Sequence, residues 1–63
     1  MSTDEMQRQF PTGSLVYTRS APHGQPGIVQ GHSRGRVEVR FPSLGYAGRF
    51  RVENLILESE VDR

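Results

Sequence analysis

The sequence predicts an all-β fold, a single small five-stranded barrel, and three of its features carry that expectation. Apolar clusters alternate with Gly and Pro at short, fairly even intervals from Gly13 onward, which is the punctuation of small barrels and sandwiches. Val37, Val39 and Phe41 alternate strictly with Arg36, Glu38 and Arg40, the period of two expected of a strand with one buried face. No long stretch sustains the i, i+3, i+4, i+7 spacing of an amphipathic helix.

Taken in order, residues 1–12 lack sustained periodicity and end in the turn signal Phe10-Pro11-Thr12-Gly13, so they are expected as a flexible tail or a short helical turn. The domain proper is expected over 13–58. Its first strand, Ser14 to Thr18, is rich in β-branched and aromatic residues. A Pro- and Gly-rich loop through Arg19, Pro22, His23, Gly24 and Pro26 leads to a short second strand from Gly27 to Gly31 or His32. Ser33-Arg34-Gly35 reads as a tight hairpin turn into the third strand, Arg36 to Phe41. After the loop Pro42 to Gly48, the pattern places a fourth strand at Arg49 to Glu53, with Phe50 and Val52 inward and the arginines outward. Glu53-Asn54-Leu55 reads as one turn of 3₁₀ helix, Ile56 to Glu58 as a closing strand, and 59–63 as an acidic tail. The expected core is Val16, Val29, Val37, Val39, Phe41, Phe50, Val52, Leu55 and Leu57.

Length and composition bound the function. A domain of 63 residues buries only about 60% of its unfolded surface, so a large internal pocket is not expected. With no cysteine, disulfides, cysteine-ligated metals and thiol nucleophiles are excluded. No apolar run has the length of a signal peptide or a membrane span, and a cytoplasmic location is the expectation. The net charge of +1 conceals a division: residues 13–52 hold six arginines against Glu38 alone, while the ends are acidic. All eight basic residues are arginine, whose planar fork suits phosphate, carboxylate or base recognition. A GC-rich coding sequence would enrich arginine equally.

The stretches Gly13-Ser14-Leu15-Val16, Gly27-Ile28-Val29, Val37-Glu38-Val39-Arg40-Phe41-Pro42 and Val52-Glu53-Asn54-Leu55 resemble SH3-like barrels of the Tudor or KOW type. Within that group the chain resembles the N-terminal Tudor-like modules of bacterial helicase-like ATPases, which implies a binding or adaptor role. These motifs are turn glycines and core positions, so they speak to fold more than to activity. A methyl-ligand cage needs several clustered rings, and only Tyr17, Tyr46 and Phe10 are candidates. A further resemblance, to small SH3-like accessory subunits of photosynthetic and redox complexes, implies docking on a larger assembly. The plasmid-type dihydrofolate reductase shares a similar barrel but needs a Val-Gln-Ile-Tyr strand where this chain has Val37-Glu38-Val39-Arg40.

No enzymatic site is expected. Ser14, Ser20, Ser33 and Ser43 lie in no nucleophile motif, and His23 and His32 lack neighbouring ligands and read as solvated loop histidines. Gly24-Gln25-Pro26-Gly27 and Gly31 to Gly35 open no helix and read as turns, not phosphate cradles. No cofactor or small-molecule substrate is implied. Arg36, Arg40, Arg49 and Arg51 occupy outward positions of two strands expected to be neighbours and would form a basic patch for nucleic acid or an acidic protein surface. A solvated face that keeps a sheet edge from aggregating is the alternative. Tyr17 and Tyr46, with Arg19, are expected near one end of the barrel, where they would stack on a base or anchor a protein contact, or else simply cover the core. For a protein partner, Leu44, Tyr46 and Ile56 would be the apolar centre.

Overall fold

The structure, a computed structural model, describes residues 3–21 and 24–61. Five antiparallel strands form one sheet: β1 (Leu15–Thr18), β2 (Gly27–Ser33), β3 (Arg36–Phe41), β4 (Tyr46–Phe50) and β5 (Leu55–Leu57), in the order β4-β3-β2-β1-β5. A short helix, α1 (Thr3–Gln9), precedes them, and 3₁₀ turns occupy Val52–Asn54 and Glu58–Glu60. The domain is all-β as expected, but the sheet does not close into a barrel, because β4 and β5 pair on one side only. All three residues of β5 are taken up by β1, through Val16↔Leu57, Tyr17↔Ile56 and Thr18↔Leu55. The 3₁₀ turn after β4 carries the chain between the two edges and is tied to the end of β1 by the Arg19 N–H, which donates to the Asn54 carbonyl at 2.9 Å. Among the described residues no helix is long and apolar enough to cross a membrane.

Alternation sorts β3 into two faces: Val37, Val39 and Phe41 are buried, while Arg36 and Arg40 are exposed. Phe10, Val16, Val29 and Leu55 join the inward row in one cluster, with Phe50, Val52 and Leu57 packed against it. Each such side chain contributes about 1.5–3 kcal/mol when fully buried. Gly27 makes the closest approach in this core: a Cβ there would meet Val39 Cγ1 and lie 2.9 Å from Phe41 Cε1. Between Val29 and Gly31 the β2–β3 register slips by one residue, and Gln30 bulges out exposed. A bulge of this kind sharpens the local twist.

The fourth strand differs from expectation. It spans Tyr46–Phe50 instead of Arg49 to Glu53, because the preceding turn closes quickly: the Leu44 and Gly45 N–H groups both donate to the Phe41 carbonyl, at 3.1 and 2.9 Å. Gly48, read from sequence as a loop residue, is therefore a ladder residue opposite Val39. The rings of Tyr46 and Phe50 lie 3.4 and 3.3 Å from where its Cβ would stand. Phe41 completes this aromatic group, stacked on Tyr46 at 5.4 Å and edge-on to Phe50 at 5.7 Å. Val52 falls in the 3₁₀ turn and is half-buried.

The N-terminal segment is the second difference. Of the two forms expected for it, the helical one is adopted, and it belongs to the core: Met6 is 1% and Phe10 3% exposed. Asp4 and Glu5 in its first turn and Arg8 in its last complement the helix dipole. Its final turn closes with the Phe10 N–H donating to the Met6 carbonyl at 2.7 Å. A helix of two turns is unstable alone, so docking supplies its stability.

Candidate functional site

Pairing of β3 with β4 builds the arginine face. The register Val37↔Phe50, Glu38↔Arg49 and Arg40↔Ala47 puts Arg36, Glu38 and Arg40 of β3 on the same side of the sheet as Arg49 of β4. Arg51, one residue past β4, has extended backbone and lines a cleft together with Arg36. All four arginines are exposed, and the strands that carry them have boundaries different from those read in the sequence.

Two carboxylates touch this face. Glu38 lies 3.9 Å from Arg49 Nε, with both side chains about half exposed (46% and 61%), and Glu53 lies 3.7 Å from Arg51. Exposed pairs of this length contribute at most about 1 kcal/mol, so each guanidinium can still reach an external anion. A shallow cleft lined by Gln30, Glu38, Ala47 and Arg49 lies in the middle of the face, where small Ala47 leaves room between long side chains.

The remaining predicted residues are not brought together. Tyr17 faces outward but sits on β1, two strands from β3, half-buried opposite Ile56. Tyr46 begins β4 on the inward side, against Phe41, and is 51% exposed. Arg19 lines a separate cleft with Thr18, Ser20, Phe50 and Asn54. A stacking site made jointly of Tyr17, Tyr46 and Arg19 therefore does not form, since the three belong to different faces and strands. Phe10, the third candidate ring for a cage, is inside the core.

Leu44, Tyr46 and Ile56 are likewise not one contact centre: the first two lie at the β4 edge and Ile56 on the opposite edge strand. A different apolar group does share one face. Leu15↔Ile28 and Tyr17↔Ile56 are cross-strand pairs on the outward face of β1, β2 and β5, and Ile28 is in turn opposite Arg40. The outward face is thus apolar over one half and cationic over the other. Leu15 and Tyr17 flanking Val16 are the sequence signal for it: with Val16 in the core, period-two alternation turns both neighbours outward.

His32 is not a loop histidine. It lies on β2 opposite Val37, half-buried, with Nε2 2.6 Å from the Phe10 carbonyl oxygen. A carbonyl can only accept, so Nε2 carries the proton and donates it. His32 thereby clamps the end of α1 to the sheet. His23 lies outside the described residues. Compared with protein-family models, curated proteins and solved structures, the chain matches none.

Proposed function

We propose that this chain is a non-enzymatic binding module of the SH3-like kind, whose arginine face contacts the phosphate backbone of nucleic acid or of a nucleic-acid-processing assembly. The observation that carries the reading is the juxtaposition of Arg36, Arg40, Arg49 and Arg51 on one outward surface of β3 and β4 with only weak, exposed carboxylate pairing. Guanidinium groups carried on paired strands can engage phosphate by two parallel hydrogen bonds each. Release of counterions from three or four phosphates gives log K a slope against log salt of about −3. Binding by one module alone is therefore weak and disappears as salt rises.

Titration of the full chain with short DNA and RNA at low and moderate salt, followed by NMR, tests this. Shifts concentrated on Arg36, Arg40, Arg49 and Arg51 that vanish with salt are expected. Absence of any shift at low salt overturns the reading.

A second reading, a protein-docking accessory subunit, is favoured by one observation: the outward apolar row Leu15, Tyr17, Ile28 and Ile56 borders Arg40. An acidic partner with an apolar centre would match that combination of surfaces. Its signature is binding of an acidic protein that salt weakens without abolishing, that Tyr17→Ser abolishes and that Arg49→Gln only weakens.

A further inference from the structure

The turn between β2 and β3 holds a backbone outlier. Arg34 has φ +51° and Gly35 φ +76°, so both central residues of the Ser33-Arg34-Gly35-Arg36 hairpin lie at positive φ, as a type I′ turn requires. Asn-Gly is the favoured pair for such a turn, whereas in arginine the Cβ crowds the following carbonyl oxygen with no short polar group to offset it. A non-glycine residue held there points to a use for its side chain.

The surroundings of Arg34 indicate that use. A cleft of about 360 Å³ opens at this end of the sheet, lined by Arg34, Gly35, Arg36, Arg51, Val52 and Glu53. Three guanidinium-bearing residues reach it from three separate positions: the turn tip, the first residue of β3 and the segment just past β4. Among the described residues that line it, Glu53, 3.7 Å from Arg51, is the one carboxylate. Like charges gathered around a depression repel one another, and an anion placed among them removes that repulsion while accepting several hydrogen bonds.

We infer that the cleft of Arg34, Arg36 and Arg51 is a phosphate-binding subsite at one end of the arginine face. The inference rests on the polyanion reading above, and adds Arg34 to it as a contact residue. The shared chemistry is the phosphate group, whether a backbone diester or a terminal or free monoester.

The test uses the isotopically labelled full chain at low ionic strength, with amide and arginine Nε–H signals followed by NMR. Three probes are titrated: a short single-stranded DNA with a 5′-hydroxyl, the same DNA with a 5′-phosphate, and inorganic phosphate. Each is repeated with Arg34→Asn, which removes the charge and installs the favoured Asn-Gly turn, so the fold is retained. Signals of Arg34, Arg36 and Arg51 are expected to shift, and Arg34→Asn to weaken binding by about fivefold, the upper range for one exposed ion pair. Equal binding of both DNAs with this loss assigns the cleft to backbone diester. Preference for the phosphorylated DNA or for free phosphate, with the same loss, assigns it to a monoester. If the DNAs bind at Arg40 and Arg49 and Arg34→Asn changes nothing, the subsite is wrong and the polyanion reading stands. If no probe shifts any signal, both fall.

Discussion

Along β3 the inward Val37, Val39 and Phe41 are buried, whereas Arg36 and Arg40, one residue away, are exposed, so neighbouring positions of one strand answer to different free energies. Inward positions are set by close packing, where a change of one methyl group is felt. Outward positions are set by electrostatics in water, where most substitutions shift stability by less than about 0.5 kcal/mol. In a chain of this size the contrast is sharp: about 0.05–0.15 kcal/mol per residue gives a total stability of only about 3–9 kcal/mol. The inward face therefore carries most of the stability, and the outward face contributes little to it.

Substitutions on each face test how independent the two are. Phe10→Ala removes the anchor of α1 from the core and is expected to cost about 3–5 kcal/mol, most of the stability; urea unfolding reads it, and an unchanged midpoint would mean that α1 does not pack. Gly27→Ala places a methyl group against Val39 and Phe41 and is expected to cost about 1–3 kcal/mol, visible as a lower melting temperature. His32→Ala leaves the Phe10 carbonyl without its donor, at a cost of about 1 kcal/mol, and faster amide hydrogen exchange in residues 6–10 is its specific mark. Replacing Arg40 and Arg49 together by Gln is expected to leave stability within about 0.5 kcal/mol while lowering the salt slope of DNA binding by nearly 2. A large stability loss in that last variant would show that the outward arginines also hold the fold.

Much of this division was legible in the sequence, and the reasons are local. Strict alternation over Arg36 to Phe41 defines its two faces whatever the partner strand, and Ser33-Arg34-Gly35 announced the hairpin through turn chemistry. The fourth strand was misplaced because Gly48 carries a loop signal, while its actual role is to receive two aromatic rings from Tyr46 and Phe50. Helix α1 was legible only as an alternative: Met6 and Phe10 stand four residues apart, the spacing of one helical face, but two apolar residues are too few to establish a period. The arginine face survived the shift of the fourth strand because Arg49 and Arg51 keep their parity relative to Phe50. Tyr17, Tyr46 and Arg19 did not converge, since sequence proximity to loops carries no information about which side of a sheet a ring occupies.

The all-β class, the two faces of β3 and the concentration of positive charge in the middle of the chain were thus settled by the order of residues, because these depend on neighbours within a few positions. Three outcomes emerged only in three dimensions: the sheet stays open at β4 and β5, α1 completes the core, and Arg34 meets Arg36 and Arg51 around one cleft. They depend on register and on contacts between residues distant in the chain, whose free energies exist only once the strands are paired.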